Sequence, residues 1–279
     1  MAVIIPNIPI VNLGTLYVHG LGISPGALNG DNLTTATVTI AGGACRDNFD
    51  VSDMVLAASV SVNSALSGQV NGLDQGAVAI DTLYAVYLIA DSRGYSPTGG
   101  LLSTNFAAPL LPGGYDSFRR VGCVLTAHAA ARFKWFDQRS AVNSTARDMW
   151  YATNVLCLNA GASATLASFN LSAVGAGTAP QVPITALKAY LLAALTADAG
   201  GTRLAIFAPQ NTITIANGGA IAADPGTGEV IMSSPASTVT TASLLVPTSV
   251  NAGLVRTYYA VSNTSAALSV QVQGYIDQL

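Results

Sequence analysis

The chain has 279 residues, of which 51% are hydrophobic and only 9% charged, with a net charge of −3. That length holds two ordinary domains or one large all-β domain, and either can bury a core without disulfide support. A slightly acidic chain with no basic stripe is not expected to bind nucleic acid, because phosphate contacts need clustered Lys and Arg.

The chain begins MAVIIPNIPIVNLG, with two prolines, no basic leader and no small-residue cleavage pattern, so it does not read as a signal peptide. Residues 1–30 read instead as an extended N-terminal arm, apolar and Pro-broken, suited to lying on a neighbour. Next, NLTTATVTIAGGA alternates Ala36, Val38 and Ile40 with Thr35, Thr37 and Thr39, a half-buried strand ending in a Gly-Gly turn. The acidic segment DNFDVSD brings Asp47, Asp50 and Asp53 together. Calcium favours such oxygens, but the spacing is not that of a calcium loop and no late Glu follows, so a polar loop leading into a strand is expected and no metal site.

AASVSVNSALSG reads as a further strand. DTLYAVYLIADSRG is apolar on both faces, with Tyr84, Val86 and Leu88 on one and Leu83, Ala85, Tyr87 and Ile89 on the other. Such a strand is buried on both sides or lies at a subunit contact. LLST suits a returning partner strand, and RRVGCVLT follows a Pro-Gly-Gly turn as the next one. Between about 126 and 150 the pattern changes: four of the eleven basic residues and both tryptophans fall there, which suggests a hairpin and an interdomain connector.

Strand-like runs then resume: WYATNVLCL, ATLASFNLSAV, TRLAIFAP, EVIMSS, STVTTASLLVP, RTYYAVS and ALSVQVQGYID. LKAYLLAALTAD is ambiguous, since Ala and Leu favour helix, but the Ala-Gly-Gly that follows suits a hairpin, and a strand is expected. A membrane span needs about 20 consecutive apolar residues. The nearest stretch, ITALKAYLLAAL, is shorter and carries Lys188, so no membrane insertion is expected. Strands at roughly ten-residue spacing point to sandwich or jelly-roll architecture. The expected organisation is all-β: the arm over residues 1–30, one β-sandwich domain over 31–145 and a second over 146–279.

Little marks out chemistry. His19 and His128 stand in no metal-ligand spacing, and no nucleophile elbow, P-loop or dinucleotide fingerprint occurs. The Gly-rich NGGAIAADPGTGE lacks the Lys-Ser/Thr that holds a phosphate. Glycoside cleavage needs two facing carboxylates; no pair is singled out, and the sole Glu is Glu229. No catalytic residue, cofactor-binding residue or metal ligand is therefore expected, nor an enzyme. Trp135, Trp150, Tyr151, Tyr258 and Tyr259 could form a sugar platform, with core or interface aromatics the preferred alternative. Cys45, Cys123 and Cys157, odd in number and in apolar settings, read as reduced thiols.

The ordered series VTIAGGACRD, NGLDQGAVAIDTLYAVYLIAD, LLST and PLLPGGYDSFRRVGCVLT resembles a type of tailed-bacteriophage virion structural protein. The resemblance covers about residues 34 to 126. It implies a β-rich part of a tail fibre, tail accessory or head decoration, located in the virion and acting through contacts with other virion proteins. The low charge and the strands apolar on both faces lead to the expectation of a homo-oligomer, and the resemblance implies three copies. A carbohydrate-binding module for a host surface glycan is the alternative, and an enzyme acting on polysaccharide the third. In such a domain Tyr115, Arg119 and Arg120 would sit beside Asp74 or Asp47, pinning one loop to another; the functional alternative is that Arg119 grips an anionic sugar.

Overall fold

A computed structural model describes residues 17–28, 33–127, 130–139, 145–163, 167–171, 181–208, 230–251, 254–261 and 265–279. The architecture is all-β. The strands of the first half are β1 (Val18–Gly20), β2 (Ile23–Pro25), β3 (Thr37–Ile40), β4 (Gly43–Arg46) and β5 (Asp53–Leu56). They continue with β6 (Val60–Asn63), β7 (Gly72–Leu73), β8 (Leu83–Ala90), β9 (Gly99–Ser103) and β10 (Ser117–Leu125). The second half holds β11 (Phe136–Gln138), β12 (Ala146–Gly161), β13 (Ala167–Asn170), β14 (Ala186–Thr196) and β15 (Arg203–Ala208). It ends with β16 (Val230–Ser234), β17 (Val239–Pro247), β18 (Ser249–Asn251), β19 (Leu254–Val261) and β20 (Ala267–Gln278).

The first half contains two small sheets, β1-β4-β5 and β2-β3-β6, and a larger one ordered β10-β8-β9-β7. Every residue of β8, β9 and β10 is buried. The two apolar faces expected of Leu83–Ala90 serve two cores. Tyr84, Val86 and Leu88 join the main one. Ala85, Tyr87 and Ile89 meet Leu101 and Phe118 in a smaller one. Burying a side chain such as Val86 or Leu88 stabilises the fold by about 1.5–3 kcal/mol. Gly100 sets how closely the layers approach: a Cβ there would lie 2.3 Å from Val62 Cγ2 and 2.9 Å from Ile40 Cδ1.

The second half pairs a sheet ordered β11-β12-β20-β14-β17 with another ordered β13-β19-β15-β16, to which β18 adds beside β19. Alternate residues of β14 and β20 point inward, among them Ala189, Leu191, Ala193, Leu268, Val270 and Val272. They pack with Ala205, Phe207, Tyr259 and Val261 of the opposing sheet. The ambiguous LKAYLLAALTAD is thus a strand, because period-two burial between two neighbours outweighs the helical preference of Ala and Leu. The main hydrophobic core runs from Val18 to Tyr275 through both halves.

Of the segment expected as an arm, residues 1–16 lie outside the described residues. Val18–Gly20 and Ile23–Pro25 pair with β4 and β3 respectively. Part of the stretch expected as a connector belongs to the sheets: β11 and β12 form a hairpin, and β12 begins at Ala146. Among the described residues no helix is long and apolar enough to cross a membrane.

Candidate functional site: the groove between the halves

The adjacent arginines lie on β10, which pairs with β8 in regular antiparallel register until Arg120 faces Tyr87 and Gly122 faces Val86. Val121 is the extra residue of a bulge, which re-aims neighbouring side chains. Arg120 thereby reaches out of its own sheet into the second half. Its guanidinium donates to the carboxylate of Asp277 and to the carbonyl of Gln278. Asp277 lies on β20, where it faces Arg147 of β12 on one side and Ala186 of β14 on the other.

The Asp277 carboxylate is shielded from water and also accepts from the Thr185 hydroxyl. Arg147 is 1% exposed; it donates from Nη2 to Gly20 O at 3.0 Å and from Nε to Val121 O at 3.3 Å. One carboxylate from the last strand, one guanidinium from β10 and one from β12 thus meet in the interior. Burial pushes the Asp277 carboxyl above its ordinary value, and Arg120, Thr185 and Arg147 pull it back only in part. Burial lowers Arg147, with Asp277 opposing it.

This cluster corrects the expected pairing. Arg120 takes Asp277 as its partner, neither Asp74 nor Asp47. Asp74 accepts the backbone N–H of Leu110, and Asp47 accepts those of Val51 and Ser52. Tyr115 donates to Pro97 O at 2.9 Å. Arg119 is 4% exposed and donates to Leu279 O at 3.4 Å; burial lowers it, and the nearby Asp47 and Asp50 oppose that. The two arginines tie one half of the molecule to the other, where a tie between two loops of one domain was expected. Asp277 was not singled out from the sequence, because 157 residues separate it from Arg120. The only local signal was a lone acid in an otherwise uncharged terminal strand.

Above the ion pair lies a groove of about 700 Å³, lined among others by Asn48, Phe106, Arg119, Arg120, Thr185 and Leu187. Its chemistry is that of a held contact. Each oxygen of the Asp277 carboxylate accepts from a donor of the protein, Arg120 or Thr185. The adjacent Cys123 thiol is pushed up by burial and shares a 2.8 Å hydrogen bond with the Tyr275 hydroxyl. Comparison with protein-family models, with curated proteins and with solved structures returns no match.

The other candidates are dispersed. Asp50 and Asp53 both pair with Arg46, so the acidic loop is closed by a guanidinium. Among the described residues no three His, Cys, Asp or Glu side chains gather as metal ligands. His19 is exposed on β1; His128, Glu229 and the rest of NGGAIAADPGTGE lie outside the described residues. Of the candidate aromatics, the Tyr258 side chain lies outside the described residues, and Trp135 is half-buried. Tyr151 and Tyr259 are buried. Trp150 stacks on Tyr190 at 4.2 Å with Arg139 over its ring at 4.8 Å, so the protein's own side chains use these faces.

Proposed function

We propose that this chain is a structural subunit of a tailed-bacteriophage virion, a tail fibre, tail accessory or head decoration component, working through protein–protein contacts and self-association. The observation that carries the proposal is where the few charges lie. Asp47, Asp74, Asp91, Arg119, Arg120, Arg147 and Asp277 are buried, in a chain with only 11 basic and 14 acidic residues. Meanwhile Phe49, Val51, Tyr95 and Leu110 are 60–84% exposed. Free subunits keep charge outside and apolar patches small. Seven buried charges in a chain this poor in charge, together with these exposed apolar side chains, suit a subunit part of whose exterior is covered by neighbours.

The residues that carry the phage resemblance support the same reading, because they make internal ties. Asn71 accepts the N–H of Gly100, and Asp74 that of Leu110. Side chains used in this way specify a scaffold. The test is an antibody against the recombinant chain, applied to purified particles induced from the source culture. Labelling at one fixed position on the particle, with the chain's peptides in the particle digest, is expected. Particles free of both label and peptides overturn the proposal.

A further inference from the structure

Sheet edges expose unpaired backbone groups, and proteins protect them with charge, bulges, brevity or a cover. This molecule protects most of its edges. β10 is an edge strand, yet its outer carbonyls are occupied. Phe118 O accepts the N–H of Asn48, Val121 O accepts Arg147, Cys123 O accepts the Tyr275 hydroxyl and Leu125 O accepts the N–H of Lys134. β7 has two residues and β11 three, the latter with Asp137 paired to the neighbouring Arg139. β5 has four, and its Asp53 is paired to Arg46.

Among the described residues, β17 has none of these devices. It is the outermost strand of its sheet, nine residues long, VTTASLLVP, without a charge. Its register with β14 is continuous from Val239 to Pro247, with no bulge. The sole proline is the last residue, so it removes no donor from the strand interior. Val239, Thr241, Ser243 and Leu245 are exposed, while Ala242 and Leu244 pack on the core. The strand is anchored on one side and uniform on the other.

We propose that β17 pairs with β17 of a second copy of this chain, antiparallel about a two-fold axis through Ser243, joining two five-stranded sheets into one. A two-fold contact sets the middle of the strand against itself, so a charge there faces its own kind at a cost. A nine-residue strand with no charge meets that condition along its whole length. Full overlap places Ser243 opposite Ser243, Thr241 opposite Leu245 and Val239 opposite Pro247 of the second copy. β-branched Val and Thr suit such pairing. The inference rests on this edge alone and is independent of the virion proposal.

The register makes the test specific. Directly opposed Cβ atoms lie about 4.5–5.5 Å apart, close enough for a disulfide after a small adjustment. Ser243→Cys is therefore expected to give a covalent two-chain species on a non-reducing gel under mild oxidation. Thr241→Cys alone is not, whereas Thr241→Cys mixed with Leu245→Cys is. Ser243→Lys sets two ammonium groups face to face; light scattering should show self-association weakened about tenfold or more, with the melting temperature of the separated chain retained. A parent that stays at one-chain mass at micromolar concentration overturns the inference. So does cross-linking of Ser243→Cys no better than Thr241→Cys, or a three-chain mass unchanged by Ser243→Lys.

Discussion

Arg120 and Asp277, 157 residues apart in sequence, form a buried ion pair that joins the first half of the molecule to its last strand. Taking two charges out of water is expensive, and only the matched geometry and the added donors make up for it. Removing one partner strands the other. Arg120→Ala or Asp277→Ala is expected to cost about 3–5 kcal/mol in urea unfolding. The double change Arg120→Met with Asp277→Leu should cost less than Asp277→Ala alone, because it leaves one buried guanidinium of the cluster, Arg147, instead of two. Equal stability of all variants and the parent would show that the pair holds nothing together.

The pH dependence follows from the same carboxyl. Burial raises Asp277 above its ordinary value of 3.8, with Arg120 the largest opposing influence. A carboxyl raised in the folded state contributes stability that is fully present below the unfolded value and lost as pH rises through the folded one. Without Arg120 the folded value climbs further and the window widens. The deficit of Arg120→Ala against the parent should therefore shrink as pH is lowered from about 7 towards about 4. Denaturant titrations of both proteins across that range check it; a deficit that grows on acidification contradicts the assignment.

The all-β class was legible because period-two alternation and turn residues are local signals. Val38 and Ile40, apolar against flanking threonines in the sequence, are fully buried in β3. The double-sided Leu83–Ala90 announced a strand covered twice. What the sequence did not show was which elements pair over long separations. Asp74 and Asp47 were the nearest acids by motif, yet Asp47 is used by the local N–H groups of Val51 and Ser52 and Asp74 by that of Leu110, 36 residues on. Nothing in the string DQL revealed that β20 would lie between β12 and β14, or that the bulge at Val121 would turn Arg120 towards it.

Gly274 illustrates another long-range dependence. It sits in β20 between Trp150 of β12 and Tyr190 of β14, and the two rings meet across it at 4.2 Å. Aromatic cover of a strand glycine compensates for its missing side chain. A Cβ at Gly274 would lie 2.1 Å from Met149 O. Gly274→Ala should therefore destabilise by about 1–3 kcal/mol, as overpacking does. Trp150→Ala should cost at least the about 0.5–1.5 kcal/mol of a ring pair. Thermal melts would measure both; a neutral Gly274→Ala would mean that the strands can separate locally without loss.

The cysteines give the last prediction. Cys45, Cys123 and Cys157 are all free, the first two buried. Burial pushes the Cys45 and Cys157 thiols up to about 12, and Cys123 higher than its ordinary value as well. The thiolate is the reactive form, so all three should react slowly with a thiol reagent at mildly alkaline pH and all at once after unfolding. These thiols also bear on stability. Their folded values exceed the ordinary value of 9.0, so their contribution is present below that pH and declines as pH rises through it towards the folded values. Stability should fall on the alkaline side of about 9 and fall less in Cys45→Ala. A non-reducing intact mass equal to the fully reduced chain is expected for the parent. A mass lower by two hydrogens, or rapid labelling of the folded protein, would contradict the buried-thiol assignment.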